Sequence, residues 1–555
     1  MNKLKDLLRL KYLPYLAVTL IIILPWFFRS GYIFLTDMSW GPNISLDWTG
    51  NWFFVNLVVK FFSLIFSVAF LEKVFIGFTI FVVLVGGKKI ADYIIKICSG
   101  REDRLVAFTV ALFALFNPFV YDRLLYGQTG IILAFGFFLL ASAYLLEYLS
   151  SNKTRDMILF GVFAALTLQM SIHFIFYIGI FFVVFLVLYI KNGVENWKHF
   201  LKLIATVGAI CILLNINWLV ADISGKSTTY NFVEAGITHQ DLVAFKTSGS
   251  SDAQVLSNVV MMSGFWGKDQ FRYADLTQVK ENWGRAFLLL LPIIIFGAYL
   301  GIKKLKDNLP NPMRPLTIAM LITFVVSVIL ASGVALSSIA PISYWLFDHF
   351  PFYKGLRESQ KWVSVIVLVY TIFFSMGLIG LSKTKILSGN RKTFLIFIGL
   401  IIIMQAPFIL WGYWGQTNPV QYPSDWSVVD RGLNCKDGEQ ILFLPWHMYM
   451  SFGWIGRIVS NPAKQFFTCP TITSSATEWG GIYDNSQSTD GKSVSGWIQS
   501  KGRTDHSSLT GGGLNIKYVI LAKELDWRNY DWLNTSSKLK LIKETYTLRV
   551  YERQD

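Results

Sequence analysis

The side chains in this sequence best suited to chemistry fall into a few short stretches. One reads Leu35-Thr36-Asp37-Met38-Ser39-Trp40-Gly41-Pro42, with Asp47-Trp48 shortly after. A carboxylate beside aromatics and a rigid Gly-Pro turn is suited to taking a proton from a bound hydroxyl. The plainer reading is that Asp37 caps a short helix. Another runs from Asn117-Pro118 through Tyr121-Asp122-Arg123 to Tyr126-Gly127-Gln128. Pro118 ends or kinks a helix, so the polar groups after it can turn toward a cavity. Arg123 is a planar, permanent cation suited to phosphate, and an Asp122–Arg123 surface pair is the competing account. Gln169 and His173 lie at the apex of an apolar hairpin, where polar groups facing lipid are costly; a hydrogen bond between helices would also explain them. The last stretch, Tyr353-Lys354-Gly355-Leu356-Arg357-Glu358-Ser359-Gln360-Lys361-Trp362, could hold a lipid phosphate, with Trp362 marking a membrane interface. Ordinary head-group contact explains Lys354 and Lys361 as well, but Arg357-Glu358 less so.

The elements that must position these groups are membrane helices. The chain is 53% hydrophobic, 15% charged and carries a net charge of +15 over 555 residues, whereas a soluble protein has about 25% charged residues. A span needs roughly 20 apolar residues. The candidates are 12–29, 70–90, 104–121, 130–149, 157–170, 174–190, 200–220, 285–302, 315–333, 362–381 and 393–412, about eleven in all. Segment 51–69 is also apolar, but if it spanned, the first basic cluster and all later ones would face opposite sides. With 51–69 on the outer surface, every short basic loop falls on one side, as the positive-inside rule requires. The N-terminus is then cytoplasmic, and almost the whole charge excess is an orientation signal rather than a nucleic-acid footprint. Four long segments lie outside: 30–69, 221–284, 334–361 and 413–555. The last, with short strand-like runs Gln440–Leu444, Tyr518–Leu521 and Thr545–Tyr551 between Gly- and Ser-rich turns, reads as a separate α+β domain. Cys435 and Cys469 both fall in it and could be bridged. Most tryptophans lie on the outer side, which suits an aromatic belt and also sugar stacking. Walker, Rossmann, HExxH and GxSxG motifs are absent, as is CxxC metal spacing.

Taken together, Thr36-Asp37-Met38-Ser39-Trp40-Gly41-Pro42, the run from Asn117-Pro118 to Gln128, and Leu356-Arg357-Glu358-Ser359-Gln360-Lys361 resemble the GT-C superfamily of polytopic glycosyltransferases. The layout is similar to arabinofuranosyltransferase-like and lipoteichoic-acid-glycosylating (YfhO-like) membrane proteins. The resemblance covers residues 1–412 as a transmembrane domain, followed by an extracytoplasmic domain at 413–555. It implies a polyprenyl-phosphate-linked sugar donor, a glycan, lipid or protein acceptor, and Asp37 as the catalytic acid of the first outer loop. Arg123, Arg357, Lys361 and His173 are then candidates to face the leaving phosphate, with Trp40, Asp47, Asp122, Gln128 and Glu358 completing the substrate site. The Asp-x-Asp or Glu-x-Asp pair of many relatives is missing, and the next acid is Asp47. A divalent cation therefore stays an open question, as does whether Asp47 or Glu358 assists. A lipid-carrier transporter or flippase, and a non-catalytic glycan-binding scaffold, are the alternatives.

Overall fold

In a bilayer every backbone polar group must be satisfied within the protein, which favours helices, and the apolar segments of this chain fold as helices. The computed structural model describes residues 2–191, 197–225, 237–270, 273–276, 283–304, 313–350, 353–384, 389–476, 478–479, 482–483, 489–503, 507–511 and 513–554. In chain order the helices are α1 (Asn2–Phe27), α2 (Phe53–Phe62), α3 (Val68–Ser99), α4 (Arg104–Leu115), α5 (Pro118–Tyr126), α6 (Thr129–Ser151), α7 (Thr154–Met170), α8 (Phe174–Lys191) and α9 (Trp197–Ile223). They continue with α10 (His239–Ala244), α11 (Asp252–Val260), α12 (Phe287–Lys304), α13 (Met313–Ser332), α14 (Ala340–His349), α15 (Val363–Ser382) and α16 (Arg391–Gln405).

Each expected span falls on a helix, but length and apolarity support fewer crossings than eleven. Among the described residues five helices are long and apolar enough to cross a membrane, or seven if two bent pairs count as one span each. The pairs are α4 with α5, bent by 51°, and α16 with Pro407–Trp414, bent by 76°. The apolar parts of α1 and α12, Lys11–Phe27 and Phe287–Lys303, are shorter. α2 has 10 residues, about 15 Å of helix, half the thickness of a hydrocarbon core. It buries Val59 and leaves Phe54, Leu57, Val58, Phe61 and Phe62 exposed.

α6 and the helix ending in α15 are almost wholly enclosed by the others. α12 meets α15 at a glycine crossing: a Cβ on Gly297 would run into the Phe373 carbonyl, and one on Gly377 into the Ile293 carbonyl. Small residues let the two backbones approach closely.

Beyond the bundle lies a five-stranded sheet in the order β4-β1-β7-β9-β8, from Thr471–Ile472, Gln440–Leu444, Ile516–Ala522, Leu548–Arg553 and Leu539–Glu544. β4, β1 and β7 are parallel, and β9 and β8 add on antiparallel, with Leu442 opposite Val519 and Ile520 opposite Val550. Side chains alternate across a strand. Ile441, Phe443, Tyr518 and Ile520 pack on one face with Trp426 and Phe467. Leu442, Leu444, Val519 and Leu521 pack on the other with Trp497, Tyr530 and Leu533. All three sequence-read runs meet strands, although the third begins at Leu548, because Thr545 closes a turn onto Leu548. A hairpin of β2 (Tyr449–Phe452) and β3 (Arg457–Ser460) sits beside the sheet, and β5 (Glu478–Trp479) pairs with β6 (Ile482–Tyr483). Cys435 and Cys469 are bridged, 5.9 Å apart at Cα. Phe34, from the loop after α1, is fully buried within the first of the sheet's two cores.

Candidate active site

Asp37 owes its position to two short-range devices. After α1, Leu35 and Met38 exchange backbone hydrogen bonds of 2.8 and 3.2 Å, folding 35–38 into a tight turn. α5 starts where Asn117 caps it: the side-chain oxygen accepts from Val120 N at 3.1 Å, and Pro118 sits at the first turn, where its missing N–H costs nothing. The helix ends at Gly127, with φ of +95°. A Cβ there would meet Leu35 Cβ at 2.8 Å and Met38 N at 2.9 Å, so only glycine admits the 35–38 turn this close. The Asp37 amide then donates to Tyr126 O at 2.8 Å. Two residues further on, Gln128 donates from Nε2 to Asp37 Oδ2 at 2.8 Å. The other oxygen, Oδ1, accepts from Tyr449 OH at 2.9 Å.

Behind Gln128 lies a buried ion network. Arg123, fully buried, donates from Nη1 to Gln128 Oε1 and to Glu358 Oε2 (2.7 Å), and from Nη2 to Gln360 Oε1 (2.6 Å). A guanidinium only donates, which fixes the Gln128 amide with its NH₂ toward Asp37. Glu358 also accepts from Lys361 Nζ at 2.8 Å and Trp266 Nε1 at 3.0 Å. The Arg123 guanidinium lies 4.4 Å from the centre of the Phe265 ring. His173 accepts from Ser171 Oγ (3.0 Å) at Nδ1 and gives its Nε2 proton to Gly355 O (2.8 Å), with Lys361 Nζ 3.4 Å away. Two cations, Arg123 and Lys361, thus balance the carboxylates of Glu358 and Asp37, the condition for holding charges out of water. Burial pushes the Asp37 carboxyl up to about 6 against the pull of its bonds to Gln128 and Tyr449. Burial would raise Glu358 as well, yet Lys361 and Arg123 hold it well below the usual carboxylate range. Burial and the Lys361 charge push His173 down to about 3, so its ring is neutral.

Six of the sequence-read residues therefore meet: Asp37, Arg123, Gln128, His173, Glu358 and Lys361. Four others lie outside this network. Asp122 does not pair with Arg123, because neighbouring residues on a helix do not face each other; it is buried and accepts from Tyr273 OH at 3.4 Å. Arg357 stacks on Phe245 at 4.9 Å and lies 3.7 Å from Asp241. Asp47 caps its own exposed turn, accepting from Thr49 N (2.9 Å) and Oγ1 (2.6 Å). Trp40 packs on Phe75, and its carbonyl accepts from Tyr422 OH at 2.8 Å. Sequence reasoning missed Tyr449 and Trp266 as site residues and passed over Gln360 inside a motif it had singled out. No local signal marks Tyr449.

Both Asp37 oxygens accept from donors, Glu358 is committed to Arg123 and Lys361, and Asp47 to Thr49. Among the described residues no group of three or more His, Cys, Asp or Glu side chains could hold a metal ion.

No protein-family model matches the sequence, and no curated protein matches it by sequence. The fold does have solved counterparts. It is similar to three cryo-EM structures of the arabinofuranosyltransferase AftD from Mycobacteria. The first aligns with a TM-score of 0.62 at 12% identity, covering 98% of this chain and 40% of AftD. Two structures of its R1389S mutant align at 0.58 (12% identity) and 0.50 (13%), each over 98% of this chain and 41% of the other. This chain thus spans about two fifths of AftD's length. The likeness is one of fold: in this chain, a bundle of apolar helices followed by a mixed sheet domain at its C-terminal end.

Proposed function

We propose that this protein is an integral membrane glycosyltransferase. It takes a sugar from a polyprenyl-phosphate donor and passes it to a hydroxyl of a glycan, lipid or protein on the outer face. The observation that carries this reading is Asp37: a partly buried carboxylate, one hydrogen bond on each oxygen, steadied by an ion network, at the tip of a turn. A carboxylate oxygen has more than one lone pair, so each can still accept from an acceptor hydroxyl. A carboxyl near 6 is ionised at neutral pH and more basic than an exposed Asp of about 3.9. As Asp37 takes the hydroxyl proton, the acceptor oxygen attacks the anomeric carbon. The bond to the donor phosphate breaks on the opposite side, so the sugar inverts. Lys361 and Arg357 are the cations assigned to the departing lipid phosphate. Arg123 is a positioning residue, since its guanidinium is enclosed and aims Gln128 at Asp37. The bridged cysteines support placing the sheet domain on the oxidising, outer side.

The test is transfer from a radiolabelled polyprenyl-phosphate sugar to membrane acceptors by purified protein. Asp37→Asn keeps the shape and one acceptor oxygen but removes the base, so transfer should fall by about 10²- to 10⁴-fold. An Asp37→Asn protein as active as the wild type would sink the assignment.

A further inference from the structure

A concave feature apart from the Asp37 site lies where α1 runs out and the chain turns after α16. Trp26, Arg29, Trp411, Gly412, Trp414 and Asn418 line a cleft of about 500 Å³ that shares none of these residues with the Asp37 network. Its floor is unusual backbone. Trp411, Gly412, Tyr413 and Trp414 are all left-handed, with φ of 53°, 65°, 53° and 58°, a conformation that side chains disfavour. Such strain collects where the surrounding structure requires it, often at ligand clamps.

The turn swings Trp411 and Trp414 outward, 53% and 62% exposed, and points Gly412 at Trp26. A Cβ on Gly412 would come within 3.1 Å of Trp26 Nε1. Trp26 itself is 1% exposed, and its indole N–H has no acceptor among the described residues. Arg29, at the rim, makes no ion pair among them. Beside the buried Trp26, the polar side chains lining the cleft among the described residues are a guanidinium and the Asn418 amide, with no carboxylate. Sugar hydroxyls must donate as well as accept, and a wall so short of acceptors suits them poorly. A phosphate diester only accepts, and its single negative charge matches a single arginine. The exposed indoles lie at the ends of apolar helices, where such rings sit at head-group level.

We propose that this cleft is a binding site for one anionic phospholipid of the surrounding bilayer. The head-group phosphate sits against Arg29 and the Asn418 amide, and the glycerol and upper acyl chains lie against Trp411 and Trp414. A lipid monoester such as a polyprenyl phosphate carries a second charge, for which no second cation lines the cleft among the described residues.

Native mass spectrometry of the full chain in mild detergent tests this, with phosphatidylglycerol, phosphatidylcholine and farnesyl phosphate as probes. Wild type should retain one phosphatidylglycerol in preference to the other two. Arg29→Gln and Trp414→Ala should each cut that retention about tenfold, with Arg29→Lys recovering part of the loss and the lipid-free melting temperature unmoved. Equal retention of phosphatidylcholine would mark ordinary annular lipid and overturn the proposal. So would a preference for farnesyl phosphate, or an Arg29→Gln protein that holds phosphatidylglycerol like the wild type.

Discussion

A base must be ionised to act, yet it is stronger the more reluctantly it ionises, and Asp37, the proposed base, sits between these demands. With its carboxyl near 6, kcat/KM should climb as pH rises through about that value, since the protonated form is inactive. Tyr449 donates to the carboxylate and so favours ionisation. Tyr449→Phe should therefore move the acidic limb upward by about one pH unit; a profile that stays put would show Tyr449 to be structural filler. Arg123 calls for a different measurement. Arg123→Met leaves Glu358 and Gln128 without a central donor, and breaking a buried pair costs about 3–5 kcal/mol, read as lower thermal stability in detergent. Glu358→Gln on top should recover part of the loss, because the stranded charge goes with it. At this scale the sequence revealed residue types but not partners. Gln128 is 5 positions from Arg123, whereas Glu358 is 235 away and Tyr449 is 412 from Asp37. A pairing over such distances depends on helix order and orientation, which no local pattern encodes.

Elements were more legible, because their causes are local. Asn117-Pro118 marks the α4–α5 bend within one turn, since the cap and the proline act on adjacent backbone groups. Runs of twenty apolar residues mark helices for the same reason. The span count was less legible: hydropathy sees apolar residues but not where a helix breaks, as at Pro407, or how short its apolar part is, as in α1. Helix crossings were invisible too, although Gly297 and Gly377 carry one. Gly297→Val should push α12 off α15 and cost about 1–3 kcal/mol, seen as a lower melting temperature. Unchanged stability would mean the crossing can open without penalty.

Across the whole molecule, the loop after α1 joins the membrane bundle to the sheet domain. It places Phe34 in the core beneath the sheet and, three residues on, Asp37 in the site. The sheet domain returns Tyr449 to Asp37, and Arg457 donates from Nε to Phe34 O at 2.7 Å. Anything that loosens this domain should reach the site. Cys435→Ser in the full chain opens a bridge across 34 positions, worth roughly 3 kcal/mol, and should lower transfer and melting temperature together. Loss of stability with transfer intact would show that the two parts work separately. Tyr449, synthesised 412 positions after Asp37, also sets a schedule. A growing chain lays down the helices of the bundle and the acid first, and the hydroxyl that steadies the acid arrives only when the sheet domain has been made and folded.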